Sequence, residues 1–414
     1  DSYGLRYDRT FVQVSYVEGK FLKHFSYHLL VHWSPASRPA LLSYRKLRFH
    51  TIINAPRGSH CGGMVECRLR DPPQAENPAL QDSFLLSSIE CSTPLPPSFH
   101  ILKEKGCVCL EQGKEVVHAT AAEVNGLSGK GVTAAVLDTG IALHPDLSGR
   151  IAGFADFVGG QKQPYDDSGH GTHVAGCLCG NGKCSNGLYA GIAPGCRLVV
   201  CKVLDERGDG NVAAMIEGIR YVLDTRRIYH TRILNISVGI GAIREAALEQ
   251  ELLSWIAKAW NAGLFVAVAA GNNGPAPDSV SAMGLQAHVI SVGCHDGRQT
   301  PGHKNACAAY SGRGPANGRV KKPDLVAPGS GIVSCNAWYR KNHFCSVNHP
   351  YTAKNGTSMA VPAVSAAAAL LWEKESHLTN EQVRERLLYH AQDLGENWGM
   401  QGWGMLHVGR ALNG

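Results

Sequence analysis

The chain has 414 residues, 44% of them apolar and 18% charged, with a formal net charge of +6. This composition excludes a disordered or fibrous chain, and the length fits one large domain with an appendage, or two domains. The mild charge comes without a Lys/Arg block interleaved with aromatics, which argues against a nucleic-acid partner, and no run approaches the roughly 18 apolar residues of a spanning helix, which argues against a membrane one.

Residues 35 to 97 carry nine of the twenty prolines, and neither a helical nor a strand period persists there. Order is expected at the ends of this region. "RTFVQVSYV" reads as a strand, and "FHILKEKGCVCLEQGKEVVHA" as a helical turn followed by an extended tail.

After residue 128 the pattern becomes regular. Strands are expected at "VTAAVLD" (132–138), "RLVVCKV" (197–203), "RILNISV" (232–238), "LFVAVAA" (264–270) and "HVISVG" (288–293). Between them, "NVAAMIEGIRYVLD" and "EAALEQELLSWIAKAWNAG" repeat apolar residues at three- and four-residue intervals, as amphipathic helices do. Strands apolar at nearly every position are buried on both faces, so the expected fold class is α/β, a mostly parallel central sheet with helices on both faces. "TNEQVRERLLYHA" opens with Thr379 and Gln382 in capping-box spacing, marking a surface helix.

The fourteen cysteines are scattered among apolar neighbours and are expected to be mostly buried free thiols. Cysteine usage and the lack of a visible leader after Asp1 favour a cytoplasmic location, with secretion as the alternative. Cys177, Cys179 and Cys184 form C-x-C-x4-C rather than the paired C-x2-C of structural zinc sites, so no metal ligand is assigned to them.

In an open parallel sheet, ligands gather at the carboxyl ends of the strands. Asp138 ends the first regular strand, His170 and His173 open a helix after glycines, and Asn272 follows another strand. Each has an ordinary reading: Asp138 as a turn cap, His173 as a packed ring bound to a backbone carbonyl, and His170–His173 as a metal half-site lacking the following Glu. Ser358 precedes the uncharged run "MAVPAVSAAAALLW" and suits either a helix N-cap or a nucleophile beside the positive helix end. The neighbourhood of one residue does not decide between these.

The set does. "AAVLDTGI", "GHGTHVAG", "NISVG", "AAGNNGP", "PDLVAPG" and "GTSMAVP" follow one another in order, and residues 121–414 resemble a subtilisin-like serine protease of the subtilase family, near its intracellular alkaline bacterial branch. The triad order Asp, His, Ser is that of subtilisin. The resemblance implies an endopeptidase in which His170 moves the Ser358 proton, Asp138 holds the imidazole, and Asn272 with the Ser358 N–H receives the oxyanion. It implies substrate lying along Ser237, Val238 and Gly239, with Ala269 to Gly271 forming the opposite wall of a pocket for apolar side chains. Partners are then protein or peptide substrates, and no cofactor is required for the chemistry.

The chain departs from the family in two places. Val361-Pro362-Ala363 stands where Ser-Pro-His is usual, and "CLCGNGKCSNGLYAGIAP" lacks the acidic ligands of a calcium loop, so a structural calcium is allowed for but not assigned. Residues 1–120 are expected to be a prodomain-like segment whose tail "EVVHAT" inhibits the site, with self-cleavage near Thr120. Residues 35–97 lack the visible strands and helices of such a prodomain. A catalytically silent or self-blocked binding protein on the same fold is the alternative.

Overall fold

The computed structural model describes residues 12–16, 26–31, 46–51, 63–69 and 85–91 as strands. From residue 110 it describes all residues except 239–245, 298–306, 316–319 and 340–348. The chain divides into two compact units, Asp1–Lys105 and Gly106–Gly414.

The first unit contains an antiparallel sheet of β1 (Val12–Tyr16), β2 (Ser26–Val31), β3 (Lys46–Thr51), β4 (Gly63–Leu69) and β5 (Leu85–Cys91), in the order β1-β2-β5-β4-β3. β1 lies inside the run read as a strand. β3, β4 and β5 fall in the proline-rich stretch where sequence periodicity had shown none. "KLRFHT" does alternate polar and apolar residues, but six residues between turn-rich segments are too few to stand out as a period.

The second unit is built on a seven-stranded sheet in the order β12-β11-β10-β9-β6-β8-β7, parallel at every pairing. The strands are β6 (Thr133–Asp138), β7 (Ile151–Asp156), β8 (Arg197–Lys202), β9 (Thr231–Ile236), β10 (Phe265–Ala269), β11 (Ile290–His295) and β12 (Leu325–Pro328). The expected parallel α/β architecture is present. β7 and β12 were not foreseen, since "IAGFAD" is only half-buried and "LVAP" carries a proline.

The first helices are α1 (Leu110–Val116) and α2 (Thr120–Val124). "EVVHAT" is therefore not an extended tail: Val116, Val117 and Ala119 are buried, and the Val117 carbonyl accepts the Val408 N–H at 2.8 Å. Burial of this short apolar run, rather than its β-branched composition, decides its conformation.

On one face of the sheet α4 (Val212–Tyr229) packs with α5 (Ala246–Asn261), and on the other α3 (His170–Cys179) packs with α6 (Thr357–Lys374). Every residue of α6 from Thr357 to Trp372 is buried, as expected for a helix apolar on all sides. Its alanines bring the backbone close to the strands. Buried Asn235 on β9 is satisfied on both sides, donating to Ser237 Oγ and accepting from Ser365 Oγ on α6, each at 2.8 Å. α7 (Asn380–Tyr389) begins with the expected capping box of Thr379 and Gln382. Among the described residues no helix is long and apolar enough to cross a membrane.

The chain order reverses across β6. β7 and β8 extend the sheet on one side, and β9 starts the other. The crevice at the carboxyl ends of β6 and β9 is therefore the place where this topology opens a site.

Candidate active site

Asp138 is the last residue of β6 and is fully buried, because β8 and β9 flank the strand and helices cover both faces. Its Oδ1 accepts from its neighbour's Thr139 N–H and from His170 Nδ1–H, each at 2.7 Å. Among the described residues, buried Oδ2 has no hydrogen-bond partner. A buried carboxylate is costly unless partnered, and the imidazole is the titratable partner given to it.

His170 is the first residue of α3, and 26% of its side chain is exposed. Gly169 caps the helix at φ 78°, a conformation suited to glycine, and a Cβ there would meet the Trp338 ring at 2.5 Å. Trp338, half-exposed, therefore covers the backbone beside His170. Burial works against the His170 cation, but the charge of Asp138 and its hydrogen bond outweigh burial and the opposing Lys354, so the pKa is raised.

A second acid, not singled out from the sequence, organises this corner. Asp166 accepts from Thr139 Oγ1, the N–H groups of Ser168, Gly169 and Thr172, and Thr172 Oγ1, at 2.6–3.1 Å. Burial would raise its pKa, yet these donors lower it. Buried Lys202 on β8 completes the frame, donating to the carbonyls of Thr139 and Leu204 at 2.8 Å and to Asp167 at 2.6 Å. The paired acids of "DDSGHGT" were the available signal.

His173 takes the structural role set out as its ordinary reading. Its Nε2–H donates to the carbonyls of Ile332 and Thr352, and burial, followed by Lys354, pushes its pKa to about 3.

Ser358 is the second residue of α6, and its exposure is 9%. Gly356, at φ 145°, occupies the cap position, so the N-cap reading of Ser358 does not hold. Ser358 instead lies inside the first turn, where backbone N–H groups lack helical acceptors. The side chain of exposed Asn272 reaches this turn, its Oδ1 accepting from Thr357 N and Oγ1 at 3.0 and 3.1 Å. A Cβ on Gly356 would lie 3.3 Å from Asn272 Nδ2 and 3.7 Å from Ser358 N, which places both donors around one point.

Of the residues expected to line substrate, Ser237 and Val238 follow β9 and are buried, and Gly239 lies outside the described residues. Ala269 ends β10, its carbonyl accepting Ser281 Oγ at 3.0 Å, and Gly271 turns at φ 95° with its carbonyl bonded to Gly312 N. The two segments end adjacent parallel strands.

Comparison with known proteins identifies the family of this fold. Residues 129–404 match the profile of the Subtilase family. The chain is 40% identical over 289 residues to serine protease AprX of Bacillus subtilis (strain 168), covering 67% of this chain and 65% of that protein. It is 36% identical over 279 residues to subtilisin Savinase of Lederbergia lenta, covering 67% of this chain and 90% of that protein. Among solved structures, Sphericase superposes with a TM-score of 0.58 at 29% identity, covering 68% of this chain and 93% of its own. The chain belongs to the subtilase family.

Proposed function

We propose that the chain is a serine endopeptidase acting on extended segments of protein substrates through Asp138, His170 and Ser358. The observation that carries this reading is the 2.7 Å bond from His170 Nδ1–H to a buried carboxylate at the carboxyl edge of the sheet. It fixes the tautomer, leaving Nε2 as the basic nitrogen.

In this mechanism His170 Nε2 takes the Ser358 hydroxyl proton as Oγ bonds to the substrate carbonyl carbon. The oxygen that gains the electron pair is received by Asn272 Nδ2–H and the Ser358 N–H. The imidazolium, stabilised by Asp138, then gives its proton to the leaving amine as the peptide C–N bond breaks, and water repeats the sequence to release the acid. Substrate pairs through its backbone with residues 237–239, opposite Ala269 to Gly271. The buried, uncharged Val238 and Ala269 favour apolar side chains in the pocket.

Residues 1–120 act as a prodomain-like segment before the catalytic domain of 121–414, with self-processing near Thr120. The test is the Ser358→Ala protein. Cleavage of a denatured protein substrate should disappear while circular dichroism is retained, and the new N-terminus near residue 120 should not form. Activity surviving the substitution rejects the reading, and a wild-type chain that neither cleaves nor labels favours the silent alternative.

A further inference from the structure

Outside the crevice, three buried donors from separate parts of the chain converge. His144 caps the 3-10 turn Pro145–Leu147, Asp146 lies inside it, and Cys335 ends β13 (Ile332–Cys335). A ring nitrogen of His144, a carboxylate oxygen of Asp146 and Sγ of Cys335 all lie within 4.8 Å of one another, and His144 Nδ1 is 4.0 Å from Asp146 Oδ1. His144 Nε2–H donates to the Pro350 carbonyl at 2.8 Å, so Nδ1 carries the lone pair, and it accepts a 3.1 Å contact from the Asp146 N–H. An imidazole whose far N–H is tied to a carbonyl is oriented as metal-ligating histidines are.

Asp146 is fully buried. Its Oδ1 accepts from Cys184 N at 2.9 Å and its Oδ2 from the Tyr351 hydroxyl at 2.7 Å. Among the described residues no lysine or arginine pairs with it. A desolvated carboxylate is costly without a countercharge, which a bound cation would supply. Half-buried Cys184 sits on the turn Lys183–Ser185, and its backbone N–H is the one held by Asp146 Oδ1. The residues around it, Lys183 and 186–188, are exposed and provide a way in.

We propose that His144 Nδ1, Asp146 and the Cys335 thiolate bind a zinc-like divalent cation, tying the turn after β6 to β13. Nitrogen, sulfur and one carboxylate suit a borderline-soft tetrahedral ion and disfavour calcium, which takes oxygen donors. Binding exchanges the contact between the Asp146 N–H and Nδ1 for a metal bond and releases the Cys335 thiol proton to solvent.

The experiment uses the full chain carrying Ser358→Ala, reduced and freed of metal, titrated with cobalt(II). The expected result is tetrahedral cobalt absorption with a thiolate-to-cobalt charge-transfer band, saturating at stoichiometric metal, abolished by zinc and accompanied by a rise in Tm. Cys335→Ser should remove the charge transfer from that sulfur and weaken binding at least about tenfold. Should Cys335→Ser fail to fold, X-ray absorption of the zinc-loaded parent decides, with a mixed sulfur and nitrogen/oxygen shell expected. Lack of stoichiometric uptake, an all-oxygen shell, unchanged absorption in a folded Cys335→Ser protein, or a Tm that responds to calcium but not to zinc overturns the proposal.

Discussion

The side-chain carbonyl of Asn272 accepts both the N–H and the hydroxyl of Thr357, at 3.0 and 3.1 Å. With both bonds made by Oδ1, the amide orientation is settled by its network, and Nδ2 is the end left to donate beside the first turn of α6. Asn272→Leu should lower kcat by roughly 10²- to 10³-fold with little change in KM, the magnitude of one lost oxyanion donor in a subtilisin. Thr357→Val removes only the hydroxyl that aims Asn272, and a smaller fall, about tenfold or less, is expected. Steady-state kinetics on a peptide ester separate the two.

His170 is opposed by burial, supported by Asp138 and opposed again by Lys354, with a net upward shift. The proposed mechanism requires neutral His170, so kcat/KM should fall on acidification through an apparent pKa above the ordinary histidine value. Lys354→Met removes a charge that disfavours the imidazolium, raising this pKa further and moving the acid limb to higher pH. Asp138→Asn loses the tautomer control and should reduce kcat by about 10⁴-fold. A pH–rate profile of each variant is the check.

Lys202 binds two buried carbonyls and Asp167, and its ammonium lies 5.0 Å from the Tyr165 ring centroid. Lys202→Met leaves the Thr139 and Leu204 oxygens unsatisfied, each costing about 1–3 kcal/mol. A lower urea midpoint is expected, together with reduced kcat, because Thr139 adjoins Asp138.

Buried His173 is held neutral, its pKa about 3 in the folded chain, whereas the unfolded chain titrates near the ordinary value of about 6.5. Between these two values the unfolded state binds the extra proton. Stability should therefore fall as pH drops through that window and be insensitive to this group above it. His173→Gln keeps a donor for Ile332 and Thr352 but does not titrate, so the slope of the urea midpoint against pH between 4 and 6 should become shallower.

The core strands were legible from their apolar runs, and Asp138, His170, Asn272 and Ser358 could be named as candidates because they lie near strand ends or a helix start, where apolar periodicity stops and short motifs begin. The position of Ser358 within α6 was not, since only backbone geometry shows that Gly356 takes the cap. β3, β4 and β5 were lost between prolines. The α1 helix was missed because Val116 packs with the distant Cys307, Val326 and Met405, and Val117 is bonded to the distant Val408. Asp166 and Lys202 act through many short bonds that no periodicity encodes. His144, Asp146 and Cys335 are brought together by the fold alone.

The most direct measurement is mass spectrometry of the purified chain after reaction with a fluorophosphonate, alongside His170→Ala and Ser358→Ala. One adduct is expected on the Ser358 peptide, lost with Ser358→Ala and greatly slowed with His170→Ala. Labelling of a different residue, or labelling of Ser358 at the same rate without the His170 imidazole, would contradict a Ser358–His170 catalytic pair.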